Sequence, residues 1–391
     1  MSTVGIIAEF NPLHSGHKLI IDAAKAENNT VISVISSNFV QRGDTAIIPK
    51  QKRAEAALRS GVDLVAELPV YWSMSTAQNF ALGGVAQLAA LGCDEIIFGS
   101  ECGDIEALKK TADIITSSQF SELLSEELCK GITFAAARQN TAEKLGADAQ
   151  ILSSPNNNLG IEYICAAKRL GCDIDFNTVK RQGAPHDSDQ IHNTAVSASL
   201  IRAKILEGNF GFAEKYMPVE IRGLLKKEII SDIKKLENVI LADLRRKTKD
   251  DLINLPDLSE GIENKIIFSS RVAVSLEELY NMIKSKRYTM ARIRRLVLSA
   301  FLGLDNSFFL KAPPYVRVLG FSENGASHLG KLNASVPIIT KASQIKELDE
   351  NCNKVFETES RATDLYALSL GSPVGCGTEF TTKFLKKECL L

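Results

Sequence analysis

Over residues 1–205 the chain alternates short, nearly continuous apolar runs with stretches of helical period, and few architectures accept that alternation. Residues 3–9, 30–36, 63–68 and 95–99 read as strands, with 176–181 a late fifth. Residues 16–26, 49–60, 75–91, 158–170 and 196–207 read as helices. Pro49 suits a first helical turn, and Leu19, Ile20, Ala23 and Ala24 share one side of the first helix. Strands without polar alternation need cover on both faces, which is the position of strands in a parallel sheet. The βαβα order therefore predicts an α/β, doubly wound, Rossmann-like unit over 1–205. From 206 to 391 the pattern is charged and mainly helical, with mixed Pro, Gly and short apolar runs from about 312 that read as a small lobe or as part of the helical region.

A chain of 391 residues is long enough for two or three domains. Its 45% hydrophobic and 24% charged residues are ordinary for a globular protein. The longest apolar runs fall short of the roughly 18 residues of a membrane span, and no signal peptide is apparent, so a cytoplasmic location is expected. The eight cysteines include no C-x-x-C pair, so no metal framework is expected and reduced thiols are the simplest reading. A net charge of −1 argues against non-specific coating of nucleic acid but leaves room for a local basic face.

The stretch Gly5-Ile-Ile-Ala-Glu-Phe-Asn-Pro-Leu-His14-Ser-Gly-His17 carries the chemistry. A buried strand ends near Glu9, a loop follows, and His14 to His17 open a helix, where ligands of open α/β sheets bind. The helix N-terminus offers N–H groups and partial positive charge to a phosphate, and Gly16 permits close backbone approach. Histidines three apart project to one side of the first turn. Both could donate hydrogen bonds to a triphosphate as charge builds during displacement at the α-phosphorus. Two surface histidines at a helix start are the bland alternative, but the strand–loop–helix context is the one the motif requires.

This arrangement resembles the HxGH nucleotidylyltransferases, relatives of class I aminoacyl-tRNA synthetases. That superfamily often carries a second, Ser-rich signature, matched by Val196-Ser-Ala-Ser-Leu-Ile-Arg202. There Ser197 or Ser199 could cap a helix while Arg202 meets the β/γ-phosphates. A longer resemblance, to bacterial tRNA(Met) cytidine acetate ligases, covers nearly the whole chain. It rests on Ser37-Asn-Phe-Val-Gln-Arg-Gly43, Gly61-Val-Asp-Leu-Val-Ala-Glu-Leu-Pro69, Phe98-Gly-Ser-Glu-Cys-Gly-Asp104 and Pro155-Asn-Asn-Asn-Leu-Gly-Ile-Glu-Tyr163. It continues at Arg181, Gly183-Ala-Pro-His-Asp187, Lys286-Arg-Tyr-Thr289, Ala312-Pro-Pro-Tyr-Val-Arg-Val-Leu-Gly320 and Asp364-Leu-Tyr366. Ser37 stands where the family more often has Gly, and Pro185 where an aromatic residue precedes His-Asp.

The resemblance implies an ATP-dependent ligase that makes acetyl-adenylate from acetate and transfers the acetyl group to N4 of the wobble cytidine of elongator tRNA(Met). It places His14 and His17 as catalytic residues. ATP contacts are implied at Ile7, Ala8, Glu9, Phe10, Asn11, Pro12, Leu13, His14, Ser15, Gly16, His17, Lys18, Leu19 and Ile20. They continue at Gly99, at Asn156 or Asn157 (the latter favoured), and at Arg181, Gln182, Ser199 and Arg202. Mg²⁺ would accompany the ATP phosphates rather than occupy a dedicated cage, and neither a membrane nor an obligate protein partner is implied. Gln41-Arg42-Gly43 lies in the loop after the second strand, on the substrate side.

For tRNA, residues 284–295 hold Lys284, Lys286, Arg287, Arg292, Arg294 and Arg295 with no acid among them, and Tyr288 is interleaved. Such a run alone is usually a solvated helix face. With the resemblance, Lys286, Arg287, Tyr288, Arg292 and Arg295 become the tRNA-binding candidates. Two other readings compete. One is an acyl-activating HxGH ligase acting on a protein-bound prosthetic group or a small amine. The other is a nucleotide- or RNA-binding protein without catalysis, against which intact His14 and His17 count.

Overall fold

The structure, a computed structural model, describes residues 2–181, 196–259, 261–285, 288–306 and 311–390. It begins with β1 (Thr3–Ala8), α1 (Ser15–Lys25) and β2 (Thr30–Ser36), then a small hairpin of β3 (Phe39–Val40) and β4 (Asp44–Thr45). Next come α2 (Lys50–Arg59), β5 (Leu64–Leu68), α3 (Val70–Ser73), α4 (Ala77–Ala90) and β6 (Glu95–Ser100). Helices α5 (Ile105–Thr116), α6 (Ser118–Cys129), α7 (Phe134–Lys144), α8 (Ala149–Ser153) and α9 (Pro155–Leu170) lead to β7 (Asp175–Lys180). Then follow α10 (Ala198–Leu206) and α11 (Phe210–Lys215), and the helical region of α12 (Glu237–Arg246), α13 (Ile262–Val272), α14 (Leu276–Ile283) and α15 (Met290–Leu302). The chain ends with β8 (Val316–Phe321), α16 (Glu323–Lys331), β9 (Ile338–Ile339), α17 (Glu350–Ala367), α18 (Thr378–Thr381) and β10 (Leu385–Lys386).

The sheet runs β10-β8-β5-β2-β1-β6-β7, with β9 beside β8, and is parallel except where β8 meets β5. Its centre, β5-β2-β1-β6-β7, is a doubly wound order that reverses at β1. One apolar cluster holds Ile7, Ile96 and Phe98 under α4 and α9. The other holds Val4, Ile6, Ile97 and Ile21 under α1, α2 and α10. The segment from residue 312, expected as a small lobe or more helix, instead returns β8, β9 and β10 to this sheet. The first helix is also phased differently. Leu19 is 51% exposed and Ala23 is exposed, while Ile21 and Ala24 face the sheet. The loop ahead of His14 sets that phase, and four apolar neighbours in sequence could not reveal it.

The return is held by a buried ionic network. Lys50 opens α2 with its side chain fully buried, and an unpaired ammonium there would cost several kcal/mol. It pairs with Glu67 of β5, with Glu359 of α17 at 2.8 Å and with Glu379 of α18 at 2.5 Å. Arg317 of β8 pairs with Glu379 and lies 3.5 Å from Glu67. Ser37 donates its hydroxyl to Glu359, and the Val70 N–H does so at 2.7 Å. The three carboxylates converge as metal ligands would, but the Lys50 ammonium already bonds all three. Three acids against two cations leave one negative charge in excess. Burial, then the adjacent Glu359, pushes Glu67 up to about 8, so a proton on Glu67 balances the cluster. Burial would raise Glu379 too, but Lys50 and Arg317 hold it at about 2.

The sign of the pH effect follows. A carboxyl raised from its ordinary 4.5 to about 8 binds a proton in the folded chain that the unfolded chain releases. Its stabilisation is complete below 4.5 and is lost as pH rises through about 8. Glu67→Gln should therefore keep stability and remove this pH dependence. Glu379→Gln should cost about 3–5 kcal/mol, as for a broken buried pair. Unfolding midpoints of both variants across that pH range check this, and equal losses in the two would overturn the assignment of the proton.

Candidate active site

The sheet reverses between β1 and β6, and the loop after β1 opens there into α1. His14 is the N-cap of α1, in extended backbone. Its Nδ1 accepts from the Gly16 N–H at 3.0 Å, and the Nδ1 of His17 accepts from the His14 N–H at 3.3 Å. A nitrogen that accepts from a backbone N–H carries no hydrogen, so each neutral ring holds its proton on Nε2. The cap thus turns both imidazoles into Nε2–H donors. A side chain at position 16 would put its Cβ 2.9 Å from the His14 ring, so glycine is what lets the ring fold back. The two rings lie 4.0 Å apart, and Phe10 meets His17 edge-on at 5.2 Å. This burial, then the neighbouring His14 and Arg181, lowers the His17 pKa well below 6.5, so its ring is neutral at physiological pH.

One expectation changes here. The helix N–H groups are not left for a phosphate, because Ser15 N donates to the Tyr216 carbonyl at 2.8 Å, Gly16 N to His14, and His17 N to the His14 carbonyl. The donors facing the crevice are side chains.

The crevice has two lobes that share His14, His17, Ile20, Gly99, Arg181 and Ser197. The outer lobe, about 530 Å³, lies on the α1 side and includes Ser15, Gly16, Lys18, Leu19, Val179, Lys215 and Tyr216. The inner lobe, about 260 Å³, reaches to the α4 and α9 side, where Ile7, Phe80, Phe98, Asn156, Asn158 and Tyr163 line it. Ala8, Glu9, Phe10, Asn11, Gln41, Arg42 and Arg202 also line it. The backbone N–H of Gln41 donates to Glu9 at 3.0 Å, and Arg202 donates to the Asn11 carbonyl at 2.9 Å.

Four residues expected at the nucleotide are placed elsewhere. Pro12 and Leu13 are buried beneath the loop. Asn157, the favoured asparagine, turns away: its Oδ1 accepts from the N–H groups of Glu101 and Cys102, which pins the loop after β6 and leaves Asn156 and Asn158 to the crevice. Of three consecutive asparagines on one helix turn, the two flanking ones line the crevice and the middle one does not, which composition could not rank. Ser197, not Ser199, caps α10, and the Ser199 hydroxyl bonds to that of Ser197 at 3.1 Å. Gln182, with His186 and Asp187, lies outside the described residues.

The basic run is partly internal. Arg292 and Arg295 both pair with Asp257, at 3.2 and 3.0 Å, and Arg292 stacks over Tyr288 at 5.2 Å. Arg295 also donates to the Gln41 carbonyl at 3.2 Å, joining α15 to the crevice. Asp257 lies far enough back in sequence that an acid-free window did not reveal it. Lys286 and Arg287 lie outside the described residues. Reading the sequence missed Phe80 and the buried Lys50 network, for which single apolar or charged residues gave no signal.

Residues 1–375 match the family model described as HIGH Nucleotidyl Transferase. A protein of Thermoanaerobacter sp. (strain X514) named tRNA(Met) cytidine acetate ligase is 39% identical, over 99% of this chain and 100% of its own. One of the same name from Caldanaerobacter subterraneus is 40% identical, over 94% of this chain and 96% of its own. The chain belongs to the tRNA(Met) cytidine acetate ligase family. Thermotoga maritima TmcAL superposes with a TM-score of 0.93 at 31% identity in its apo form, and 0.90 at 30% identity bound with alpha-thio ATP, each over 99% of both chains. The parallel-dominated α/β sheet with its helical region is thus the fold of this ligase family.

The double use of His14 separates cap from chemistry. His14→Asn supplies a good N-cap oxygen but no Nε2–H. It should change stability by no more than about 1 kcal/mol while slowing adenylate formation about 10²–10³-fold. Thermal unfolding and ATP–pyrophosphate exchange measure the two effects, and a near-normal exchange rate would remove His14 from the chemistry.

Proposed function

We propose that this chain activates acetate with ATP and transfers the acetyl group to N4 of the wobble cytidine of elongator tRNA(Met). The observation that carries this reading is the pair of Nε2–H imidazoles set between two lobes, in a chain that matches ligases of that name from end to end. In the first step an acetate oxygen bonds to the α-phosphorus, the α–β anhydride breaks and pyrophosphate leaves. His14 and His17 donate to the charge that grows on the phosphoryl oxygens. Arg181 and Arg202 meet the phosphates from the other side. In the second step the cytosine N4 attacks the acetyl carbonyl, AMP leaves and N4 gives up a proton.

Mg²⁺ enters as the partner of the ATP phosphates, its usual mode; the one convergence of three acids among the described residues is already filled by Lys50. We assign 1–205 to ATP chemistry and the helical region that follows to tRNA, with the tRNA substrate placing the enzyme in the cytoplasm. Incubation with ATP, labelled acetate and total tRNA, followed by nucleoside mass analysis, tests the whole reading. Labelled N4-acetylcytidine supports it, and its absence under conditions that release pyrophosphate rejects the acceptor.

Within the basic run the roles divide. Lys286→Ala with Arg287→Ala should spare acetate-dependent pyrophosphate release and weaken tRNA binding. Each lost phosphate contact should flatten the slope of log affinity against log salt by about 0.7–0.9. Arg295→Ala should impair both activities, because its partners include the crevice loop at Gln41. Unchanged tRNA affinity in the double variant would move the acceptor surface elsewhere.

A further inference from the structure

A second cleft lies at the far edge of the sheet, away from the HxGH crevice. The outer edge of β8 pairs with β9 at Val316 and Arg317 and with β10 at Gly320 and Phe321. Residues 340–343, which follow β9, and residues 380–386, which lead into β10, line a cleft of about 550 Å³ between them. It stands four strand spacings from β1, about 19 Å. Helix α17 joins it to the crevice. Phe356 of α17 packs edge-on against Phe380 of the cleft, with centroids 5.5 Å apart. Further along the same helix the Tyr366 hydroxyl donates to the Ala46 carbonyl at 2.8 Å, just after β4. At about 1.5 Å per residue, roughly 15 Å of one helix separates the two contacts.

Positive charge and an open ring face coincide in this cleft. Lys341, Lys383 and Lys386 line it, all three exposed, and no acid does. None of the three forms an ion pair among the described residues, and Lys386 lies over the Phe384 ring at 6.0 Å. The acids closest in sequence are turned elsewhere. Glu379 is buried against Lys50 and Arg317, and Glu388 accepts from the Glu323 N–H at 2.9 Å. Three uncompensated cations in a chain of net charge −1 make a local field that favours a polyanion. Phe380 is 55% exposed although Phe356 supports it from within, so its ring is held in place and still open to solvent.

We infer that this cleft is a second contact for the tRNA, with backbone phosphates on Lys341, Lys383 and Lys386 and an unpaired base on Phe380. Cations that track a strand, with an aromatic ring among them on which a base stacks, are the means by which proteins hold single-stranded nucleic acid. RNA bases splay from loops and bulges onto such rings. The inference rests on the proposed tRNA substrate and adds a surface outside the basic run of α15. Because α17 ties the cleft to the segment after β4, a strand held there meets the crevice from a fixed distance.

The test uses the full chain and elongator tRNA(Met), and measures tRNA binding across a salt series, acetate-dependent ATP–pyrophosphate exchange and acetyl transfer. One variant combines Lys341→Ala, Lys383→Ala and Lys386→Ala. The other is Phe380→Leu, which keeps apolar cover on Phe356. The lysine variant should flatten the slope of log affinity against log salt by about 2–3, raise KM for tRNA and leave exchange unchanged. Phe380→Leu should weaken tRNA binding by about 5- to 100-fold with the slope unchanged, since a ring releases no counterions. If Phe380→Leu fails to fold, the lysine variant, altered only at exposed side chains, decides the matter. Unchanged affinity and slope in the lysine variant, with a parent that binds and acetylates tRNA, overturn the second contact and leave the proposed function standing. A change confined to KM for ATP makes the cleft a free-nucleotide site and overturns the contact as well. A parent that acetylates no tRNA overturns the proposed acceptor and this contact together.

Discussion

The site depends on one topological constraint, the reversal of strand order at β1. From β1 the chain winds through β2 to β5 on one side and returns to place β6 and β7 on the other. Parallel crossovers keep one hand, so the connecting helices must fall on opposite faces of the sheet. They separate above β1 and β6 and leave the crevice between them. Each face contributes one wall, α1 and α10 on one side and α4 and α9 on the other, and this is why the crevice has two lobes of different size. The HxGH segment sits at their junction because it is the segment that leaves β1.

At that junction fold and chemistry use the same atoms. A serine at position 14 would cap α1 as well as His14 does. Only an imidazole can accept on one nitrogen while presenting a hydrogen from the other. Holding His17 neutral serves the same end, since a protonated ring would turn an N–H toward the backbone N–H it now accepts from. The cap therefore stabilises one tautomer in advance, and no reorientation is required as charge develops. Preorganisation of this kind is where catalytic hydrogen bonds gain their strength.

Much of this was legible in the sequence because it depends on local pattern. The strand Thr30–Ser36 fell within the residues its apolar run indicated, and His14 to His17 opened a helix as the strand–loop–helix context required. What stayed hidden depends on distant partners or on angle. Val316–Phe321 is a short, largely apolar run interrupted by Arg317, and nothing local said that it would lie antiparallel to β5. Arg292 and Arg295 looked like a solvent-facing run until Asp257 arrived from the preceding loop. Leu19 and Ile21 are both apolar, and the loop geometry decided which of them is buried. Asn157 is chemically identical to its neighbours and differs only in where the turn of α9 points it.

The buried ionic network explains why the last eighty residues return to the first sheet when the basic run has already passed. Arg317, Glu359 and Glu379 come from that return, and Lys50 and Glu67 from the nucleotide-side unit. Replacing such a cluster with hydrophobic groups is often neutral or stabilising, so net stability is a weak reason for its presence. Its charges instead demand partners, and a chain return in any other register would strand them unpaired. The helical region between β7 and β8 is thereby anchored at both ends. The Ser231 N–H donates to the Ile47 carbonyl at 2.9 Å, and the Ser231 and Ser369 hydroxyls bond at 2.6 Å. With Arg295 joined to the Gln41 carbonyl, α15 is held to the loop that lines the inner lobe. A nucleic acid bound along α15 would thus meet the crevice at a fixed offset. Transfer to a single base requires such an offset, because the acetyl group has to be met by one exocyclic nitrogen at bonding distance.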